Sequence, residues 1–239
     1  MEKTTCFNLI ILDESGSMSH CVRSTISGCN ETLAIVRNLQ KEHAERTNHF
    51  VSIYPFQGSG SRPSRYLMKN EPIANVQDIT GEDYEPCGMT PLLDAVGSTL
   101  VDLEAVAKTH ADSTAIVTII TDGYENASTR YTGAMVSEII GRLKEKGWTF
   151  NLIGANIDLD MLGTQLNIDN RMAFCNTDDG AKEMFCDFNK SMQRHERRRC
   201  IGEDAILKEC ASMSEAERKE KISHYRKSSA SRFFDDYDI

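Results

Sequence analysis

Apolar and polar positions divide the first 175 residues into short continuous apolar runs and longer stretches with a periodic apolar stripe. Residues 7–12 (FNLIIL) and 114–121 (TAIVTIIT) are almost wholly apolar or β-branched, which is typical of strands that are covered on both faces of a sheet. Residues 49–56 and 148–153 predict two further strands, and residues 172–175 predict a weaker one. These runs together indicate a buried, mostly parallel sheet.

Between these runs, apolar side chains recur every three or four residues, which predicts amphipathic helices. Strands that alternate with helices form right-handed βαβ crossovers, so we expect an α/β fold with a doubly wound, mostly parallel sheet and helices on both faces. A turn at residues 58–61 and a short antiparallel edge strand at residues 65–69 are also expected. The three helical stripes consist of Val22, Ile26, Cys29, Leu33 and Val36; of Leu93, Val96, Leu100 and Leu103; and of Val136, Ile139, Ile140 and Leu143.

The character of the chain changes near residue 200. The arginine-rich segment 194–199 is expected to close the last helix of the domain as a solvated helix end. Ser214 and Glu217 form a capping box that predicts one more short helix, and residues 228–239 are first rich in serine and then acidic and aromatic. We therefore expect a domain over residues 1–200 and a less ordered C-terminal tail over residues 201–239.

Composition narrows the class of protein. A chain of 239 residues suits one α/β domain with an appendage, and its net charge of −9 argues against nucleic acid as a partner. No uninterrupted apolar run is long enough to cross a membrane, and the N-terminus lacks the pattern of a secretory signal. The eight cysteines show no C-x-x-C spacing, which favours buried, reduced thiols over a disulfide framework. These features predict a cytoplasmic protein without membrane contact.

The candidate chemistry lies where predicted strands end. The first strand runs into the sequence DESGS, which brings Asp13, Ser15 and Ser17 to the carboxyl end of that strand. Asp122 directly follows the apolar run 114–121, and Thr90 precedes a predicted helix start at which it is placed as the N-cap. In doubly wound sheets, ligands bind at the edge formed by the carboxyl ends of the strands.

Two carboxylates and three hydroxyls form a set of hard oxygen ligands that suits a divalent cation such as Mg²⁺, with Mn²⁺ or Ca²⁺ as alternatives, rather than zinc or copper. Magnesium takes six oxygens, so five protein oxygens leave at least one position for water or for an oxygen from outside. Such a position favours an anionic ligand. The residues therefore predict a site that grips a carboxylate.

The three segments, in this order and at strand ends, resemble the metal-ion-dependent adhesion site of the von Willebrand factor A (VWA) domain. All five positions of that motif match, namely Asp13, Ser15, Ser17, Thr90 and Asp122. The resemblance covers residues 5–190 and implies a six-stranded sheet of order 3-2-1-4-5-6 with one antiparallel edge strand. It also implies that Ser15, Ser17 and Thr90 touch the ion directly, while the two aspartates act largely through water.

The same resemblance implies a function. In that family, a glutamate or aspartate of a protein partner usually completes the shell of the ion. The chain looks most similar to the compact stand-alone VWA proteins of bacteria, including those in tellurite-resistance clusters, and such proteins often act beside an ATPase, a kinase or a phosphatase. We therefore predict a metal-dependent protein-binding module that is not an enzyme.

Several alternatives stay open at this stage. The DESGS segment alone is also typical of a helix cap, and Glu14 and Glu125 are expected to be solvated charges at the rim of the site. A hydrolase or phosphotransferase of the haloacid-dehalogenase type also places an aspartate after the first strand, but it needs a second aspartate where this chain has Ser15. A third alternative is a structural subunit whose metal only ties the loops together. Self-association is a further prediction, made through the acidic tail residues Asp235, Asp236 and Asp238.

Overall fold

A computed structural model describes residues 3–58, 62–210 and 212–235 of the chain. Within these ranges the chain alternates between strands and helices, with a short 3₁₀ helix directly after the first strand (Gly16–Cys21). The strands are β1 (Thr4–Asp13), β2 (Thr47–Phe56), β3 (Met68–Pro72), β4 (Ser113–Thr121), β5 (Thr149–Gly154) and β6 (Asn170–Ala173). The helices are α1 (Val22–Glu42), α2 (Leu92–Ala107), α3 (Gly133–Lys144), α4 (Leu159–Leu166), α5 (Asp178–Glu209) and α6 (Glu215–Ser229).

The six strands form one sheet in the order β3-β2-β1-β4-β5-β6. All neighbouring strands are parallel except β3, which runs antiparallel to β2 at the edge. The expected fold class, strand order and antiparallel edge strand are therefore confirmed. The central strands β1 and β4 lie side by side in a register that pairs Leu12 with Ile120, so both end at the same edge of the sheet.

Each face of the sheet is covered by its own set of helices. Phe7, Leu9 and Ile11 of β1 point into a core that α2, α3 and α4 complete. Ile10 and Leu12 point the other way, into a core formed with α1 and α5. This alternation explains why the whole of β1 is buried and why its sequence is a continuous apolar run rather than a two-residue repeat.

The boundaries of two elements differ from the sequence-based expectation. The edge strand is displaced from 65–69 to Met68–Pro72, although the N–H groups of Arg65 and Leu67 still donate to carbonyls of β2. The Arg65 side chain forms an ion pair with Glu14. Helix α4 was not expected, since its eight residues are too few to show a stripe; the Asp158 side chain caps its start and Asn167 ends it in a left-handed conformation. The expected turn at 58–61 lies mostly outside the described residues.

The C-terminal part of the chain contacts the domain closely. Helix α5 continues through residue 200 to Glu209, so the arginine-rich segment lies inside this helix and does not close it. Arg199 of this segment is buried, which contradicts the expected solvated helix end. The capping box at Ser214 is present, and Phe233 is fully buried against Phe188.

Of the three acidic residues predicted to mediate self-association, Asp236 and Asp238 lie outside the described residues, whereas Asp235 is exposed. A separate observation concerns the membrane. No helix in the described ranges combines the length and the apolar character that a bilayer span requires.

Candidate metal site

The carboxyl ends of β1 and β4 bring two aspartates to one edge of the sheet. Asp13 is the last residue of β1, and Asp122 directly follows the last residue of β4. Because these parallel strands are neighbours in the sheet, residues 109 positions apart in the sequence become adjacent in space. Both aspartates are buried, and Asp13 is completely inaccessible to solvent.

Neighbouring polar groups hold the Asp13 carboxylate in place. Its Oδ1 accepts a hydrogen bond from the Ser15 backbone N–H at 2.7 Å, and its Oδ2 accepts one from the Thr121 hydroxyl at 2.6 Å. Tyr84, which is buried, donates its hydroxyl to the Asp13 carbonyl at 2.6 Å. Thr121 and Tyr84 were not predicted as site residues; Thr121 precedes Asp122 in the T-D-G sequence, while nothing local marks Tyr84.

The two serines connect the end of β1 to Asp122. The hydroxyls of Ser15 and Ser17 lie 3.2 Å apart, and the Ser17 hydroxyl donates to Oδ1 of Asp122 at 2.6 Å. Ser15 stands at the N-cap position of the 3₁₀ helix, yet its side chain makes no capping hydrogen bond. The serine hydroxyls therefore belong to the carboxylate cluster and not to a helix cap.

Thr90 lies at the same edge, but it is not the N-cap of α2 as its sequence context predicts. The helix begins at Leu92, and its first N–H groups are satisfied by other side chains: Leu93 donates to Glu125 at 2.8 Å and Asp94 to Ser128 at 2.9 Å. The Thr90 hydroxyl is thus not used in capping. Side chains of the long loop after β4 cap the start of α2 instead. No local sequence pattern could predict this contact.

The backbone of Thr90 is fixed from both sides by Asn126. The Thr90 N–H donates to Oδ1 of Asn126 at 2.8 Å, and the Asn126 N–H donates to the Thr90 carbonyl at 3.2 Å. Asn176, in the loop between β6 and α5, holds Asp122 and Ser17 in place on the other side of the site. Its amide donates to Oδ2 of Asp122 at 2.6 Å and to the Ser17 carbonyl at 3.2 Å. The sequence analysis did not predict either asparagine as a site residue, because both come close to the site only in the folded chain.

The two flanking glutamates are not solvated rim charges, contrary to expectation. Glu14 is completely buried and pairs with the Arg65 guanidinium through both carboxylate oxygens, at 2.7 and 3.2 Å. Glu125 accepts from the N–H groups of Leu93, Ala127 and Ser128. Both carboxylates are therefore committed to structural contacts.

The electrostatics of the two aspartates favour a cation. Burial raises the pKa of Asp13 to about 6, and the nearby charge of Asp122 acts in the same direction, while hydrogen bonds from Thr121 and Ser15 oppose the shift. Burial also raises the pKa of Asp122 above its ordinary value. Ionisation of these two neighbouring carboxylates costs free energy. A cation bound between them would stabilise their ionised forms.

The donor set and the space at the site fit such an ion. All five predicted side chains offer oxygen atoms, which hard divalent cations prefer. Gly123 leaves room beside them, because a Cβ at that position would lie 3.3 Å from the Thr90 hydroxyl and 3.9 Å from the Ser17 hydroxyl. The two hydroxyls thus border one small space that a side chain on Gly123 would invade.

We predict that Gly123→Ala weakens divalent cation binding by about tenfold, the size of effect that a group around a metal shell has on affinity. The added methyl group would press against the Thr90 hydroxyl, while the fold should tolerate it. Calorimetric titration with Mg²⁺ or Mn²⁺ would measure the loss. Gly81→Ala is a matched control, because a Cβ there would meet nothing within 4 Å; equal affinities in the two variants would contradict the prediction.

A second group of side chains that can bind metals lies at the opposite end of the strands, near the start of β1. Cys6, His49 and Glu196 are buried with one potential ligand atom each within 4.8 Å of the others. Glu196, however, forms an ion pair with Arg199, and the amide of Asn8 approaches His49 Nδ1 at 3.4 Å. These contacts place a guanidinium beside the carboxylate, so this group fits a cation less well than the five oxygen donors do.

Solved structures of other proteins share this fold. The pilus adhesin SpaC from Lactobacillus rhamnosus GG is similar in structure, with a TM-score of 0.57 at 11% identity, over 81% of this chain and 31% of the adhesin. A von Willebrand factor type A protein from Catenulispora acidiphila matches with a TM-score of 0.49 at 14% identity, over 78% of this chain and 42% of that one. Manganese-loaded TRAP protein from Plasmodium vivax matches with a TM-score of 0.47 at 15% identity, over 77% of this chain and 72% of that one.

No family model and no curated protein matches the sequence. The chain spans about a third of the length of the adhesin. At 11% identity, the likeness to the adhesin shows the fold and nothing about ligands.

Proposed function

We propose that this chain is a VWA-type binding module that holds a divalent cation with Asp13, Ser15, Ser17, Thr90 and Asp122 and captures a carboxylate of a protein partner. The observation that carries the proposal is the convergence of these five side chains at the β1 and β4 edge, where two buried aspartates share a cluster with three hydroxyls. A bound hard cation would supply a coordination position for an oxygen from outside the protein.

The residues of the chain have distinct roles in this proposal. Asp13 and Asp122 supply the negative charge, and Thr121 and Asn176 hold their carboxylates in fixed orientations. Ser15, Ser17 and Thr90 supply neutral oxygens that add no further charge. The two aspartates balance the charge of a divalent cation, and the neutral hydroxyls add no negative charge beyond that. The ion should therefore retain affinity for one more anionic oxygen. We propose Mg²⁺ as the ion, with Mn²⁺ or Ca²⁺ as substitutes.

The surface around the site suits a protein partner. Met89 and Tyr124, next to Thr90 and Gly123, expose 46% and 49% of their surface. A shallow depression of about 570 Å³ adjoins Ser17 and Asn176. Exposed apolar side chains beside a polar centre are typical of a site where another protein docks.

A binding role is favoured over catalysis by the state of the flanking glutamates. A hydrolase needs a general base that can reach a water or a substrate. Glu14 is buried and paired with Arg65, and Glu125 is occupied by the start of α2 and its own loop. A cytoplasmic location, a bacterial source, an associated ATPase, kinase or phosphatase, and the division at residue 200 stay predictions of the sequence.

The open coordination position can be tested directly with Mn²⁺. We expect bound Mn²⁺ to enhance the relaxation of water protons, because water fills the vacant position, and we expect acetate to reduce that enhancement by displacing the water. Ser15→Ala should weaken Mn²⁺ binding by roughly 10-fold or more. Ser27→Ala is a matched control, since Ser27 lies on the exposed side of α1 and its hydroxyl donates to Glu31.

Each result has a distinct meaning. Tight Mn²⁺ binding without an effect of acetate would replace carboxylate capture by a purely structural metal. Absence of Mn²⁺ binding would overturn the whole proposal. Hydrolysis of a phosphate ester that depends on Mn²⁺ and on Asp13 would favour the enzymatic alternative.

A further inference from the structure

A cavity lies at the other end of the sheet from the candidate metal site. It has a volume of about 640 Å³, is partly open to solvent, and lies between α6, the ends of α2 and α5, and the segments that precede β4 and β5. Ser113, which opens β4, lines it, whereas Thr121 ends the same strand beside Asp13. Eight residues of a strand span roughly 26 Å, so the two sites do not overlap.

One part of the cavity wall is apolar. Side chains from three helices and two connecting segments meet there, and the volume lies in the range of pockets that enclose a small organic molecule. Trp148, which is almost completely buried, is the only tryptophan of the chain. The apolar residues are Ala107, Ala111, Trp148, Leu207 and Ile222.

The other part of the wall carries a surplus of positive charge. Five basic side chains and three carboxylates line the cavity, although the whole chain has a net charge of −9. Glu104 alone is shared by Lys108 at 3.4 Å and Lys146 at 2.7 Å, and Arg142 from outside the cavity also pairs with it. A basic lining on an acidic protein attracts an anion.

Helix α6 forms one side of this cavity and is attached to the domain mainly through polar contacts. Arg226 is the buried residue of this helix and pairs with Asp112 and Glu203. Tyr225 donates to the Arg198 carbonyl at 2.8 Å. Ile222 faces the cavity but is only partly buried. An apolar ligand would therefore add an apolar contact between α6 and the domain.

We propose that this cavity binds a small anionic amphiphile, with its apolar chain against Trp148 and Ile222 and its charged head group near Lys108 and Lys146. The combination of an apolar wall and surplus positive charge selects for both halves of such a molecule. Its binding stabilises α6 on the domain, because the ligand contacts both. This site is independent of the proposed metal site and needs no cation.

The experiment uses the full chain and the fluorescence of Trp148. We expect decanoate to change this fluorescence in a saturable way with one site per chain, and we expect it to slow hydrogen exchange in α6. Decanol has the same chain without the charge, and sulfate has charge without a chain; both should bind at least about tenfold more weakly. Decyl phosphate, compared with decanoate, distinguishes a phosphate from a carboxylate head group.

Two variants separate this site from non-specific binding. Ile222→Glu puts a negative charge into the cavity and should weaken decanoate binding by about tenfold or more, because like charges repel strongly in a desolvated site. Ile201→Glu is the control, since Ile201 is exposed on α5 and does not line the cavity. Circular dichroism verifies that both variants are folded.

The proposal is overturned if decanoate gives no saturable signal in the wild type. It is also overturned if decanol binds as tightly as decanoate, or if Ile222→Glu and Ile201→Glu bind decanoate equally well. Protection of α6 from hydrogen exchange in the wild type, lost in Ile222→Glu, supports the proposal without reliance on fluorescence.

Discussion

Replacing Asp13 by asparagine is expected to abolish divalent cation binding while the metal-free protein becomes no less stable. Asparagine removes one of the two negative charges of the site, and loss of a ligand should cost at least about 100-fold in affinity, the upper end of what groups around a metal shell contribute. The shape of the side chain is kept, and the Thr121 hydroxyl can accept from the new amide in place of donating.

The stability half of this prediction follows from the buried carboxylate. In the metal-free protein the pKa of Asp13 is raised from 3.8 to about 6, so the folded state holds its proton more tightly than the unfolded state does. The free energy of unfolding therefore falls as pH rises from about 4 to about 6, by roughly 3 kcal/mol in total. Asparagine does not titrate, so the variant should avoid this loss at neutral pH.

Thermal denaturation in EDTA and in Mg²⁺ would measure both effects at once. The wild type should melt at higher temperature when Mg²⁺ is added, because the ion binds only the folded state. Asp13→Asn should show no such increase. Asp102→Asn is the control, since Asp102 lies on α2 and pairs with Lys69 at the surface. A variant that keeps the Mg²⁺ response would remove Asp13 from the site.

Replacing Arg199 by methionine is expected to lower the free energy of unfolding more than any other single substitution proposed for this protein. Arg199 is buried and pairs with both Glu196 and Glu203. Without it, the buried Glu196 loses its guanidinium partner and keeps the His49 imidazole at 3.6 Å, and breaking a buried pair in this way costs about 3–5 kcal/mol. Urea unfolding at neutral pH would measure the difference in free energy.

The pH dependence identifies the cause of this loss. In the wild type the pKa of Glu196 is lowered from 4.5 to about 2 by the Arg199 charge and its hydrogen bond, although burial opposes this. The ionised Glu196 therefore contributes stability above pH 4.5 that is lost as the pH falls towards 2. In Arg199→Met the contribution of Arg199 is lost and burial outweighs the remaining effect of His49 and His195, so the pKa of Glu196 rises and the variant should become less stable as the pH increases above about 4.5.

Two further variants complete this test. Arg197→Met changes an exposed arginine of the same helix and should alter the free energy of unfolding by less than about 0.5 kcal/mol. The double variant Arg199→Met with Glu196→Gln removes both charges and should recover much of the loss. If Arg199→Met is no less stable than Arg197→Met, the buried ion pairs of Arg199 within α5 do not stabilise the protein.

The sequence by itself determined the fold class and the edge at which the candidate chemistry lies. Short, β-branched, continuous apolar runs are typical of strands whose two faces are both buried, so residues 7–12 and 114–121 indicated the central strands. Asp13 and Asp122 follow these runs directly, and a parallel sheet brings the ends of such strands together. The strand order came from the family resemblance, because periodicity does not specify which strands are neighbours.

Only the tertiary structure decided which polar side chains are buried and which distant partners they take. Thr90 has the sequence of an N-cap, but Glu125 and Ser128 from a distant loop satisfy the start of α2. Arg199 has the sequence of a solvated helix end, but it lies against buried carboxylates. Pairs at helical spacing, such as Arg199 with Glu196 and Glu203, can be read from the sequence, but only the packed structure shows that they are buried. Hydrogen bonds between distant segments, such as those at the start of α2, follow no fixed spacing because the folded chain brings their residues together.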